Sequence, residues 1–226
     1  MDDWLSYRPS DFLMFSPRVY WRLFESLNEA WWPAQPLLLA AGAGCLWAMR
    51  RPWPGRGEPA LRGTAAFLAC CWALAGWAFL LERFAPVNWP ASGYAALFAL
   101  QAAALLVPAL AGGLRLAVDP LRRGAALMLG FWALAVHPVL AAADGRPWAQ
   151  AEVFGLAPDP TAIGTLAFLL AVRGGSSAAR WRLRALWVLP LAWCGVSAIT
   201  LATMGSPQAW AILAAAVLAA ATAWRR

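Results

Sequence analysis

PASGYAALFALQAAALLVPALAGGLR, residues 90–115, carries no charged side chain from Pro90 to Gly113. At 1.5 Å per residue such a helix is about 36 Å long, enough to cross a hydrocarbon core of ~30 Å. A soluble helix of this length would show a polar stripe every third or fourth residue. Here the strongly polar side chain is a lone Gln101, near the middle, and Arg115 closes the run.

The same unit recurs along the chain. Apolar runs at about 34–49, 62–81, 90–113, 122–143, 160–173, 184–204 and 207–224 predict seven spans joined by short loops. Pro108, Pro138 and Pro190 fall inside them, which a bundle tolerates when neighbours satisfy the freed carbonyls. Composition agrees. Of the 226 residues 62% are hydrophobic and 13% charged, where a soluble domain carries about 25% charged residues. The expected fold is all-α: a polytopic transmembrane helix bundle, residues 33–226, forming one domain.

Residues 1–32 read differently. After an irregular lead-in, Ser16-Pro17 has the form of an N-cap followed by proline at the first helical position. Val19, Tyr20, Leu23, Phe24, Leu27 and Trp31 then recur at helical spacing, with Arg18, Arg22, Glu25, Asn28 and Glu29 on the other face. The pattern predicts an amphipathic helix lying in the membrane interface.

All 18 basic residues are arginine, and 13 of them fall in alternate loops or at the C-terminus: Arg50, Arg51, Arg56, Arg62; Arg115, Arg122, Arg123; Arg173, Arg180, Arg182, Arg184; Arg225, Arg226. The positive-inside rule makes that side cytoplasmic and the N-terminus external. Short arginine loops between apolar runs are topology determinants, so the net charge of +7 does not point to nucleic acid. Trp31, Trp32, Trp89 and Trp148 on one side, with Trp53, Trp181 and Trp224 on the other, match interfacial belts. Four cysteines, each inside an apolar run, and a single histidine give no recognisable zinc spacing, so no metal and no cofactor is expected.

Nine of the 11 acidic residues fall on the external side. A solvated outer face explains them plainly; an outward-facing polar site of Glu82, Asn88, His137, Glu152, Asp159 and Thr161 is the sharper alternative. His137 precedes Pro138 in the outer third of the fourth span, and an ionisable group at that depth is a functional candidate. In Pro158-Asp159-Pro160-Thr161, Asp159 reads as an N-cap and Pro160 as the first helical residue. The apolar run after Pro160 is short for a span, which lets Phe154 to Pro160 dip below the surface. Gln101 reads as interhelical glue. Ser197, Thr200 and Thr203 share one side of their helix, where hydroxyls can bond back to the backbone.

Phe24-Glu25, Asn28-Glu29-Ala30 and Trp32-Pro33-Ala34-Gln35, then Asn88 and Gln101, then Phe154-Gly155-Leu156-Ala157-Pro158-Asp159-Pro160-Thr161 stand in an order that resembles an uncharacterised bacterial membrane family, domain of unknown function 6064. The resemblance singles out Glu25, Asn28, Trp32 and Gln35 and implies a multi-pass membrane protein with no established activity. Many members carry Cys at the position of Asp159 and Tyr at that of His137, so no shared thiol or imidazole chemistry is expected here.

Three functions fit: a transporter or channel for a small solute entering from outside; a non-catalytic accessory subunit of another membrane complex; or a small integral-membrane enzyme. The last requires an acid–base pair, for which His137 with Glu152 or Asp144 is the available combination. The expected partners are the lipid bilayer and either a small solute or another membrane subunit.

Overall fold

A computed structural model describes residues 14–50 and 57–225. The lead-in before Met14, and Arg51, Trp53, Arg56 and Arg226, lie outside the described residues. The chain is a helix bundle, as its sequence predicts. All seven apolar runs are helical. Four continuous helices, Gly57–Phe84, Ala91–Ala111, Pro120–Ala143 and Ser177–Thr203, are long and apolar enough to cross a membrane. Three shorter ones complete the set.

Helix α1 (Pro17–Trp31) starts where the sequence places it: the Ser16 hydroxyl accepts from the Val19 N–H at 3.3 Å. Its apolar stripe buries Tyr20, Phe24 and Leu27, and Phe24 stacks on Phe79 with ring centroids 4.3 Å apart. Helix α2 (Ala34–Arg50) begins after a two-residue turn. Helix α3 (Gly57–Leu74) continues into a π-helical segment, Ala75–Phe84, which packs on α4 (Ala91–Ala111). At Gly76 a Cβ would sit 2.8 Å from that of Phe98, so the two backbones approach closely only because this residue is glycine.

Helix α5 (Pro120–Phe131) is capped by Asp119, whose carboxylate accepts from the Leu121 N–H at 2.9 Å. It runs through a π-helical segment, Trp132–Val136, into α6 (His137–Ala143). Pro138 has no N–H to offer an α-helical bond; the wider turn ahead of it absorbs that gap. Adding one residue to a turn also rotates the remainder of the helix by roughly 100°. His137 ends up buried.

Helix α7 (Pro158–Ala171) is the bundle's axis. It packs against α3, α5, α9 and α10, and all but Gly164 of its residues are buried. The approach to it, Ala151 to Ala157, is buried as well, so this irregular stretch is enclosed by protein. Helix α8 (Ser177–Ala185), which carries Arg180, Arg182 and Arg184, runs on through a turn at Leu186-Trp187 into the apolar α9 (Val188–Thr203). Helix α10 (Gln208–Ala223) ends the fold.

Two details differ from the sequence reading. A small antiparallel pair, β1 (Leu114–Leu116) with β2 (Val172–Gly174), ties the ends of α4 and α7 together. It forms because Gly112 and Gly113, both at positive φ, stop α4 and leave the adjoining backbone unpaired. And Asp159 is not an N-cap. Helix α7 begins one residue before it, at Pro158, after Ala157 in extended geometry, with no side-chain cap.

These contacts gather the arginine loops at one end. The Arg62 guanidinium donates to the Ala109 and Leu110 carbonyls, Arg123 donates to the Arg50 carbonyl, and Arg115 lies opposite Arg173 in the strand pair. Helix α7 thus starts beside α6 and finishes at the arginine end, so it traverses the bundle.

Candidate metal centre

Glu152 stands in the buried stretch leading into α7, two residues after a short 3₁₀ turn, Trp148–Gln150. Asn28 holds that stretch in place. Its amide nitrogen donates to the Ala149 and Ala151 carbonyls, each at 2.8 Å, and its amide oxygen accepts from Gln35 at 3.1 Å. Gln150 donates to Glu25 at 3.1 Å. The resemblance residues Glu25, Asn28 and Gln35 therefore position a loop more than a hundred residues downstream. Trp32 remains exposed.

A second set of bonds shapes the entry to α7. The chain reverses at Gly155, whose φ of +85° suits glycine. The Gly155 N–H donates to the Thr161 hydroxyl at 3.0 Å, and that hydroxyl donates to the Ala157 carbonyl at 2.7 Å. Thr161 thus closes the turn as a cap would. The Asp159 side chain is left free to turn inward. There Oδ1 accepts from the Trp193 indole at 2.7 Å and Oδ2 from the Ser197 hydroxyl at 2.6 Å. Thr200 and Thr203 do bond back to their own helix; Ser197 does not.

His137, Glu152 and Asp159 meet at the centre. His137 Nε2 lies 3.4 Å from Glu152 Oε2. One donor atom from each of the three residues falls within 4.8 Å of the others, and each residue is no more than 3% exposed. His137 Nδ1 has no protein partner among the described residues. The arrangement comprises one imidazole and two carboxylates, oriented by an indole and a hydroxyl, and enclosed. Two carboxylates this close in a buried site call for a counter-charge. Arg146 supplies one at a remove: it donates to the Gln150 carbonyl, lies 3.9 Å from Asp144, and stacks 3.5 Å above the Trp21 ring. Burial pulls the Arg146 guanidinium below its usual value, against the opposing pull of Glu152 and Asp144. On the α1 side, burial pushes the Tyr20 phenol well above its usual range, and the charges of Asp159 and Glu152 push it the same way. Tyr20 therefore keeps its proton within electrostatic reach of both carboxylates.

The other polar residues singled out in the sequence lie elsewhere. Glu82 is exposed and pairs with Arg83 at 3.5 Å. Asn88 lines a depression of about 200 Å³ that also touches Tyr20, Tyr94, Trp193 and Thr200, so it adjoins the cluster through Tyr20 and Trp193 without joining it. Gln101 donates to the Leu186 carbonyl at 3.1 Å, binding α4 to the turn between α8 and α9. Trp193 and Tyr20 carry no sequence signal for a site, since one tryptophan among 16 and a tyrosine on an amphipathic stripe are ordinary, and the shared side of Ser197, Thr200 and Thr203 is a weak one.

The family model for DUF6064, a family of unknown function, matches residues 17–226. The chain belongs to the DUF6064 family. The match begins with α1 and takes in the whole bundle, so the helix that carries Asn28 is part of the family's fold and not an appendage. No curated protein and no solved structure matches this DUF6064 chain.

Proposed function

We propose that this DUF6064 chain is a multi-pass protein of the bacterial inner membrane, with its N-terminus outside, that binds one divalent transition-metal cation at His137, Glu152 and Asp159. The small solute of the transport reading is then this cation. The observation that carries the proposal is the convergence of three buried ligating groups on one point. One imidazole and two carboxylates suit Zn²⁺, Mn²⁺ or Fe²⁺, and a +2 ion supplies the counter-charge that two carboxylates need. The Trp193 and Ser197 bonds hold Asp159 as outer-shell partners hold a metal ligand. Four helices long and apolar enough to cross a membrane, arginine loops gathered at one end, and exposed apolar side chains, among them Leu37, Leu100, Leu110, Phe131, Val188 and Ile199, support the membrane setting.

The test is metal analysis of protein purified in mild detergent, followed by uptake of radioactive zinc or manganese into proteoliposomes. The proposal expects about one equivalent bound per chain, and loss of both binding and uptake in His137→Ala and Glu152→Ala. Protein that folds normally yet binds no divalent metal overturns it.

A second reading, metal-assisted hydrolysis, is favoured by one observation. Three protein donors leave a coordination position open, as catalytic zinc sites do, and the protonated Tyr20 phenol lies within electrostatic reach of both carboxylates. Metal binding without uptake, combined with a loss of hydrolytic activity in Tyr20→Phe, would favour it over transport.

A further inference from the structure

At the other end of the bundle, about 440 Å³ of space opens between the start of α5, strand β2, helix α8 and the end of α10. Arg122, Arg173, Arg180 and Arg184 line it, and its apolar wall includes Trp187 and Trp224. Arg180 and Arg184 lie one turn apart on α8. Arg122 and Arg173 come from separate elements, so the convergence is tertiary. No carboxylate lines the space, and none of the four arginines pairs with one among the described residues. The Arg122 Nε also lacks a hydrogen-bond partner there. Four like charges around one concavity repel one another unless an anion sits between them.

We propose that this cavity binds a phosphate group. Guanidinium forks match phosphate oxygens bidentately, and four of them outweigh the one or two negative charges of a phosphodiester or phosphomonoester. Indole walls beside the guanidiniums accept the apolar part of an amphipathic ligand, so an anionic phospholipid headgroup and a free phosphate share the required chemistry. Topology alone asks only that arginines lie on one side; it does not require four of them to surround one space. The site is independent of the metal centre, since its residues and its end of the bundle are different.

Detergent-purified full-length protein is titrated with dioleoyl phosphatidylglycerol, dioleoyl phosphatidylcholine or inorganic phosphate, and retained ligand is read by native mass spectrometry and by melting temperature. Phosphatidylglycerol alone binding identifies a lipid headgroup; inorganic phosphate binding equally well identifies a free anion. Either supports the proposal, provided that Arg180→Gln/Arg184→Gln weakens binding about tenfold or more and Arg182→Gln, off the cavity, does not. Arg173→Gln gives a second reading if the double variant folds poorly. Equal binding of both lipids with none of phosphate, or undiminished binding by the double and Arg173 variants, overturns it.

Discussion

Replacing Asp159 with asparagine separates a cation site from a merely structural polar cluster. The two carboxylates offer oxygens within 4.8 Å of each other. At that distance, with an effective dielectric of about 20, two full charges repel by about 3 kcal/mol. In Asp159→Asn the side-chain amide keeps an oxygen for the Trp193 indole, and Ser197 can turn to accept from the amide nitrogen. Two charge-assisted bonds become neutral ones, a loss of about 1 kcal/mol each. In a chelator the variant is therefore about 1 kcal/mol more stable than the parent, worth a few degrees in melting temperature for a chain of this size. Metal reverses the order. A ligand at a hundred times its dissociation constant stabilises by about 2.7 kcal/mol, which the parent gains and the variant largely forgoes. The assay is thermal unfolding in detergent, monitored by intrinsic fluorescence, with chelator and with added zinc or manganese. Equal metal-induced shifts in the two proteins, or a variant already several degrees less stable in chelator, would refute the reasoning.

The same geometry sets three other expectations. Asn28→Ala orphans two carbonyls against α1 and destabilises by about 2–4 kcal/mol; Asn28→Asp, which sets a carboxylate against them, is worse still, and metal affinity in surviving protein falls with the Glu152 loop. Gly76→Ala forces a Cβ against Phe98 and lowers the melting temperature, whereas Gly93→Ala, with open space around it, leaves it unchanged or raises it. A phosphatase fused after Arg226 is inactive and one inserted near Gly145 is active, if the arginine end is cytoplasmic; the reverse pattern would invert the topology.

The fold is legible in the sequence because its signals are local. Apolar runs, Ser16-Pro17 and the arginine loops each act over a few residues, and the helices form where those signals place them. The β1–β2 pair is not legible, because it joins segments more than fifty residues apart through main-chain bonds that need no particular side chain. The site is half legible. His137, Glu152 and Asp159 stand out as ionisable groups near apolar runs, but their convergence depends on the π-helical turn before His137 and on Asn28 gripping the Glu152 loop. Asp159 reads as a cap because Pro-Asp-Pro satisfies the local rule for one. Thr161 closes that turn instead, and the carboxylate is engaged by Trp193 and Ser197.

The central claim is that a single cation sits among those three side chains. Anomalous diffraction from crystals grown with zinc or manganese, recorded on both sides of the metal's absorption edge, tests it most directly. The account predicts one strong peak per chain at coordination distance, roughly 2.0–2.2 Å, from a His137 nitrogen and from oxygens of Glu152 and Asp159. A well-ordered structure with no anomalous peak there, or with the peak bound elsewhere, contradicts it.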